Sequence, residues 1–300
     1  MQKIPFHIIS GFLGSGKTTF LKRIIEKYAG EYKIGIIQNE FAPANIDGAE
    51  LKKSGKDFQL LEINNGSVFC VCLLGDFVRS LEKFINEKQP EMLIIEASGL
   101  SDTTSVAEVI SASTLAGKIY LASNWCIVDA QNYSRVGMMK QRVIHQLRMA
   151  DEVVINKTDM PGLEIEILRS EIKKLNPFAR ITETTFCNID FRLGNLALNK
   201  FYFGEMKTLP RPEINSMVIK TTRKISRDSL VTFLNFWAPK SFRIKGFVNL
   251  TDNTVCAVQC VFNEIQIQPV DSGFFTTELV ALTESFTLRE WNKAYRELCN

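Results

Sequence analysis

The stretch Gly11-Phe12-Leu13-Gly14-Ser15-Gly16-Lys17-Thr18 follows the apolar run Ile4–Ile9 and precedes a segment with helical spacing of apolar residues. It matches the pattern G-x-x-x-x-G-K-[ST] in the strand–loop–helix context that this pattern requires. Glycines let backbone N–H groups turn toward one point, where the start of the helix adds partial positive charge. We therefore predict a loop that binds phosphate groups. The residues assigned to it are Gly14, Ser15, Gly16, Lys17, Thr18 and Thr19.

Two side chains of this loop and one strand end carry specific chemistry. Lys17 can place a positive charge on the terminal phosphates of a nucleotide, and the Thr18 hydroxyl is a ligand for the Mg²⁺ that bridges them. The apolar run Met92–Glu96 ends in a carboxylate, which at that position holds Mg²⁺, and the length of Glu favours coordination through water. Gly99 follows three residues later, where its N–H can sense the γ-phosphate. We predict Lys17 and Glu96 as the catalytic residues.

The first two hundred residues alternate short β-branched runs with helix-period segments, a pattern typical of a parallel sheet flanked by helices. The fold class predicted from it is α/β, a P-loop NTPase with a doubly wound, mostly parallel sheet. The predicted strands are Ile4–Ile9, Lys33–Gln38, Gln59–Ile63, Met92–Glu96, Trp125–Asp129, Glu152–Asn156 and Ala179–Glu183.

The pattern breaks at Pro210 and Pro212, each of which disfavours helix in the residue before it. We expect a nucleotide-binding domain over 1–205, a linker over 206–214 and a smaller C-terminal α+β domain over 215–300. In the last of these, Ser226 and Thr287 are predicted to begin helices, Thr287 through a capping box with Glu290. The predicted strands of this domain are Ser216–Thr221, Phe242–Leu250, Val255–Phe262 and one around Thr277–Leu282.

Composition excludes several classes of protein. The 300 residues are 45% hydrophobic and 23% charged, typical of a globular chain that buries a core. Seven cysteines, an odd number, do not resemble a secreted disulfide framework, and no apolar run reaches the length that spans a bilayer. We expect a soluble cytoplasmic protein. Two histidines exclude a His-rich metal-storage tract.

The net charge of +3 lies entirely after residue 205. Between residues 220 and 245 only Asp228 opposes seven cations, which are Lys220, Arg223, Lys224, Arg227, Lys240, Arg243 and Lys245. Such a run is most often a solvated face. The alternative is a surface that docks an acidic protein partner, whereas nucleic acid is disfavoured because no reading motif is present.

The segment Asn156-Lys157-Thr158-Asp159 follows the predicted strand Glu152–Asn156. A carboxylate at Asp159 can accept hydrogen bonds from N1–H and the exocyclic amine of guanine. Adenine lacks this donor pair, so a buried carboxylate would stay unpaired beside ATP. The segment therefore favours GTP over ATP, with Asn156, Lys157 and Asp159 at the base. The alternative is a polar turn in which Asp159 caps the next helix.

Cysteines Cys70 and Cys72 are spaced C-x-C, two thiols that could clamp a soft metal with ligands from elsewhere, such as Glu40. Structural cysteines remain the alternative. Three other cysteines, Cys126, Cys256 and Cys260, are expected in the core. His145 is expected on a helix surface.

Together these motifs resemble the CobW-type GTPases, relatives of the urease and hydrogenase nickel-insertion GTPases that are regarded as metal chaperones. The resemblance also covers Asn39-Glu40-Phe41, Ile46-Asp47-Gly48 and Lys245-Gly246-Phe247-Val248. It implies GTP or GDP with Mg²⁺ as cofactors, Asp47 as a further Mg²⁺ ligand in the first switch, and Zn²⁺, Co²⁺ or Ni²⁺ at Glu40, Cys70 and Cys72. The family carries C-x-C-C after Asn-Gly, whereas here only Cys70 aligns and Cys72 is an addition.

The function that these features favour is slow GTP hydrolysis coupled to delivery of a metal or metallocofactor. A client metalloprotein docking on the basic C-terminal domain and a second copy of the chain are the expected partners. The alternative is a nucleotide-switched interaction module without metal cargo, for example one serving a corrinoid-dependent enzyme. A small-molecule kinase would leave Asn156–Asp159 without a role.

Overall fold

The computed structural model describes residues 3–39, 58–63, 74–97, 110, 114–135, 140–190, 215–261, 263–270 and 276–299. Its strands form two sheets, one of seven strands before residue 184 and one of five strands after residue 214. The predicted linker, residues 206–214, lies outside the described residues. Within the described part, no helix is both long and apolar enough to cross a membrane.

The first sheet is parallel throughout, in the order β3-β2-β4-β1-β5-β6-β7. Its strands are β1 (Ile4–Ser10), β2 (Ile34–Asn39), β3 (Gln59–Ile63), β4 (Met92–Glu96), β5 (Ile119–Asp129), β6 (Glu152–Asn156) and β7 (Arg180–Glu183). The helices of this part are α1 (Lys17–Tyr28), α2 (Leu74–Lys88), α3 (Lys140–Met149) and α4 (Ile165–Leu175). This is the predicted doubly wound α/β fold, with β1 at the switch point from which binding crevices open.

The fifth strand is longer than the sequence predicts, because it begins at Ile119 rather than Trp125. Ser123 and Asn124 interrupt the apolar run, but both are buried and hydrogen-bonded. The Ser123 hydroxyl pairs with His7 Nδ1 at 2.7 Å, and the Asn124 amide donates to the Met149 carbonyl at 2.9 Å. These hydrogen bonds let the buried strand continue through two polar residues.

The second sheet is antiparallel, in the order β11-β10-β9-β12-β8, with two helices on one face. Its elements are β8 (Asn215–Thr221), α5 (Arg227–Trp237), β9 (Arg243–Asn249), β10 (Val255–Val261), β11 (Glu264–Val270), β12 (Thr277–Thr283) and α6 (Leu288–Glu297). Both predicted helix starts are present. Ser226 accepts a hydrogen bond from the Ser229 N–H, and Thr287 forms a complete capping box with Glu290.

Strand β11 was not predicted. It forms the edge of the second sheet, where its residues are exposed or half-buried, and it contains Pro269. An edge strand tolerates proline because one side of its backbone has no neighbour to accept a hydrogen bond. The weak burial and the proline together hide this strand from a search for apolar runs.

The core of the second unit lies between its sheet and its helices. Trp291 and Tyr295 on α6 are fully buried there and pack around Phe233 on α5. The opposite sheet face contributes Phe247 and Val280 to a core cluster that also contains residues of the first sheet. The two sheets therefore share apolar packing as well as polar contacts.

Ionic contacts between the two units correct the interpretation of the basic stretch as one open surface. Arg243 and Lys245 both contact Asp151, the residue immediately before β6. Burial alone would raise the pKa of Asp151, but these two cations lower it to about 2. Within the second unit, Lys220 of β8 contacts Glu278 of β12 at 3.2 Å. Three of the seven cations are thus paired within the chain.

The same interface corrects the prediction for His145. Its Nε2 lies 2.8 Å from Glu278 Oε2, and only 16% of its side chain is exposed. This histidine joins α3 to β12 rather than facing solvent.

We expect Asp151→Asn to lower the free energy of unfolding by about 3–5 kcal/mol, because it leaves two buried cations without their carboxylate. Urea unfolding at neutral pH measures this change. The matched control is Asp190→Asn, because Asp190 is 86% exposed and forms a surface ion pair with Lys27. Equal losses in the two variants would contradict a stabilising role for the buried cluster.

Candidate functional site

The phosphate loop joins β1 to α1 and depends on two glycines. Gly11 has φ +139°, and a Cβ there would lie 2.2 Å from the Ile127 carbonyl oxygen of β5. Gly16 has φ +109°, and its Cβ would lie 2.4 Å from Asn156 Nδ2. Both positions therefore require glycine for conformation and for space. Gly14, at φ +72°, lies at the open side of the loop with nothing near its missing Cβ.

The loop presents donors that suit an anion. Gly16 is the N-cap of α1 and supplies no side-chain cap, so the first N–H groups of the helix remain available. Lys17 Nζ donates to the Phe12 carbonyl at 3.2 Å, on the loop itself. The buried Ser15 hydroxyl has no hydrogen-bond partner among the described residues. Thr19 lies half-buried in the first turn of the helix.

Glu96 is brought to the loop by the register of the sheet. Ile9 of β1 and Gln38 of β2 both pair with Glu96 at the end of β4. The Thr18 hydroxyl donates to Glu96 Oε1 at 2.9 Å, and Gln38 Nε2 donates to Oε2 at 3.1 Å. The two predicted Mg²⁺ ligands are therefore in direct contact.

These residues fit a magnesium ion with its water shell. A hydroxyl and a carboxylate are hard oxygen ligands, and Mg²⁺ keeps several waters that need acceptors nearby. Gln38 Oε1 is such an acceptor, because it is buried and has no hydrogen-bond partner within the described part of the chain. Sequence reasoning did not assign Gln38, although its position at a strand end beside Glu96 indicates it.

Asn156, at the end of β6, joins two loops. Its amide donates to the Ser15 carbonyl at 2.9 Å, and its Oδ1 accepts the Cys187 N–H at 3.0 Å. Asn156 is 3% exposed, so these are buried hydrogen bonds. The phosphate loop is thereby fixed to the turn after β7.

Lys157 and Asp159 lie on the turn that follows Asn156. Lys157 has φ +65°, and its Nζ contacts Asp129 Oδ2 at 2.6 Å. Burial alone would raise the pKa of Asp129, but the hydrogen bonds from Lys157 and Asn132 lower it below its usual value. Asp159 is exposed, and its Oδ1 accepts from the Thr185 hydroxyl at 3.3 Å.

The turn after β7 is the part of the site that sequence reasoning missed. Phe186 and Cys187 both have positive φ, +52° and +51°, an uncommon conformation for residues with side chains. The turn is held by Arg23 Nε, which donates to the Phe186 carbonyl at 2.7 Å. The Phe186 side chain is 70% exposed beside the turn that carries Asp159. No motif in the sequence identifies this turn.

Five predicted site residues lie outside the described residues. These are Glu40, Asp47, Cys70, Cys72 and Gly99. In the part that the structure does describe, no group of three His, Cys, Asp or Glu side chains could hold a metal ion. The predicted core cysteines Cys126, Cys256 and Cys260 are buried, as is Cys187. Burial raises the pKa of Cys126, Cys187 and Cys260 to about 12, which disfavours the thiolate that binds metals.

Comparisons with known proteins find family matches for both units. Residues 5–183 match the family model described as "CobW/HypB/UreG, nucleotide-binding domain". Residues 214–294 match "Cobalamin synthesis protein cobW C-terminal domain". A solved structure of Zn(II)-bound YjiA GTPase from E. coli covers 99% of each chain at 21% identity, with a TM-score of 0.50, and supports the fold.

Two curated relatives are similar in sequence. The chain is 33% identical to "Zinc chaperone CobW" of Sinorhizobium sp, over 53% of this chain and 52% of that protein. It is 30% identical to "Zinc chaperone YjiA" of Escherichia coli, over 64% of this chain and 61% of that protein. The matched region therefore spans less than two thirds of either relative. Because the first family model covers more than half of its residues, the chain belongs to the CobW/HypB/UreG family of nucleotide-binding proteins.

Proposed function

We propose that the chain binds GTP with Mg²⁺, hydrolyses it slowly, and couples the nucleotide state to the handling of a transition metal ion. One observation carries the nucleotide half. Asn156 links the phosphate loop to the segment that would hold the base, so phosphate and base sites share one buried clamp. A glycine-rich turn that binds no ligand would not need the hydrogen bonds by which Asn156 fixes it to the downstream segment.

The base would be guanine. Asp159 is exposed and contacts the Thr185 hydroxyl, so it is placed to accept the two donors of guanine while Lys157 is fixed by Asp129. When a bound base covers this carboxylate, a base without the donor pair would leave the carboxylate buried and unpaired, and the site would reject that base. This supports GTP over ATP.

The phosphates would lie on the N–H groups at the start of α1, with the Lys17 ammonium on the terminal phosphates. Thr18 would bind Mg²⁺ directly, and Glu96 would hold it through water, supported by Gln38. Bound Mg²⁺ would neutralise charge on the β- and γ-phosphates. Gly99 and Asp47 would complete the γ-phosphate and metal contacts, as the family resemblance implies. Slow hydrolysis is expected because no sequence motif identifies an arginine that would stabilise the transition state.

The cargo would be a zinc-like ion bound by thiols. The two relatives above carry the name zinc chaperone, which supports a soft divalent metal. The chain has seven cysteines, and the five within the described residues are buried or half-buried. This leaves Cys70 and Cys72 as the thiols for metal, with Glu40 as an oxygen ligand. A client protein would receive the metal ion, or a second copy of the chain would complete the site that binds it.

We expect Asp159→Asn to weaken GTP binding by at least about 100-fold and to favour XTP. The reason is that xanthine has a carbonyl where guanine has its amine, and the Asn amide donates to a carbonyl. Calorimetry with GTP, XTP and ATP measures the change, with Asp190→Asn as a surface control. Unchanged GTP affinity in Asp159→Asn, or ATP binding as tight as GTP in the wild type, would overturn the guanine assignment.

We expect Glu96→Gln to retain GDP binding and lose most of the Mg²⁺-dependent hydrolysis of GTP. Phosphate contacts come from the loop, whereas a neutral amide is a poor partner for a hydrated cation. Single-turnover hydrolysis over a Mg²⁺ titration tests this, with Glu166→Gln on the exposed face of α4 as the control. A normal Mg²⁺ titration curve in Glu96→Gln would remove Glu96 from the site.

We expect Cys70→Ser/Cys72→Ser to lower Zn²⁺ affinity by at least about tenfold. Losing a residue that only supports a metal ligand already lowers metal affinity by about this factor, and here the ligands themselves are removed. Zn²⁺ titration with and without Mg²⁺ and GTP gives the affinity and its dependence on nucleotide. Cys299→Ser is the matched control, because Cys299 is half-buried in the second unit. Equal affinities in the double variant and the control would dismiss the thiol site and leave the nucleotide site intact.

A further inference from the structure

A crevice opens between the two units at the end of the parallel sheet opposite the phosphate loop. Its volume is about 140 Å³. One wall is formed at the starts of β6 and β7, and the other by β9 and β10 of the second sheet. This space is too small for a nucleotide and large enough for a tetrahedral oxyanion with water.

Cations outnumber carboxylates along the walls. The positively charged residues are Arg148, Arg180, Arg243 and Lys245, and the acidic ones are Asp151 and Glu152. Most of these charges are removed from solvent. Lys245, Arg148 and Glu152 are 9%, 5% and 5% exposed, and the Arg243 side chain is 11% exposed. Asp151, Glu152 and the nearby Glu278 balance the three buried cations, so the 73% exposed Arg180 gives the crevice its excess positive charge, which an anion would compensate.

Hydrogen-bond donors are also in excess. Asp151 already accepts three hydrogen bonds, because Arg243 and Lys245 both donate to its Oδ1 and the Asn124 N–H donates to its Oδ2 at 2.8 Å. An arginine carries five N–H donors. Among the described residues, the Arg243 side chain donates only to Asp151, and the Arg180 side chain pairs only with Glu152, at 3.2 Å. Several N–H donors of Arg243 and Arg180 therefore have no acceptor in the part of the chain that the structure describes.

We propose that this crevice binds a compact divalent oxyanion, of the size and charge of sulfate or hydrogen phosphate, between the two units. The anion would accept from Arg180 on β7 and Arg243 on β9, and so join elements of the two sheets. A nucleotide site is not needed for this binding, so the proposal goes beyond the function proposed above.

The charge of the crevice depends on pH. Burial raises the pKa of Glu152 to about 7, opposed by Arg180 and Arg243 and assisted by Asp151. Burial also lowers the pKa of Lys245 to about 8, opposed by Asp151 and assisted by Arg243. As the pH falls from 8.5 to 6, Lys245 gains its positive charge and Glu152 loses its negative charge. Anion affinity should rise over the same range.

Sulfate is the probe, because it stays divalent across this range. The chain is first saturated with Mg²⁺ and a non-hydrolysable GTP analogue, so that the phosphate loop is occupied, and this step is measured separately. Calorimetry then follows sulfate binding. We expect one site whose affinity rises as the pH falls. Absence of sulfate binding to the nucleotide-filled protein would overturn the proposal, whatever the nucleotide result.

Two variants test the location. Arg180→Gln should weaken sulfate binding about tenfold, the usual effect of losing a hydrogen bond to a charged group. Its side chain is 73% exposed, so the fold should tolerate the change. Arg79→Gln is the matched control, because Arg79 is 75% exposed on α2 and also pairs with one carboxylate. Equal affinities in these two variants would place the anion elsewhere.

The second variant is Glu152→Gln, which removes a negative charge from the wall. It should bind sulfate more tightly than the wild type at pH 8, with a smaller change between pH 8 and pH 6. A damaged fold cannot produce this gain, so the result separates binding from stability. Glu166→Gln on α4 is the control. Unchanged or weaker sulfate binding in Glu152→Gln would contradict the proposal.

Discussion

The buried side chain of Asn156 is the contact on which the nucleotide site depends. It holds the Ser15 carbonyl on one side and the Cys187 N–H on the other, each within 3.0 Å. The Asn156 amide lies where a Cβ of residue 16 would be, so only glycine fits at this position of the phosphate loop. Two motifs that are about 140 residues apart in sequence are therefore a single steric and hydrogen-bonded unit.

Local chemistry explains why so much of the fold could be predicted from the sequence. The phosphate loop needs its glycines at fixed spacing, and buried parallel strands need continuous apolar runs such as Met92–Glu96. The helix starts at Ser226 and Thr287 need a hydroxyl three residues before a free N–H. Each signal is complete within a few residues. Strands β3, β4 and β6 therefore have the predicted bounds.

The contacts that could not be predicted join residues far apart in the chain. Lys157 reaches Asp129, Thr185 reaches Asp159, and Arg243 and Lys245 reach Asp151 across more than ninety residues. Nothing near a cation in sequence identifies its carboxylate. The basic stretch therefore looked like one surface, although its strand residues point into an interface. Edge strand β11 could not be predicted for a local reason. It buries too few residues to show an apolar run in the sequence.

Strand β6 connects the two polar regions of the chain. It begins at Glu152 in the interdomain crevice and ends at Asn156 beside the phosphate loop, a span of about 13 Å at the usual rise per residue. All five of its residues are buried, so the strand cannot shift at one end without disturbing the packing at the other. The second unit contacts the residue just before this strand, where Asp151 meets Arg243 and Lys245. A change in charge at that contact and a change of nucleotide would therefore act on the same rigid element. Charge that looks like a surface property in the sequence is, for these two cations, part of the contact between the second unit and the residue that precedes β6.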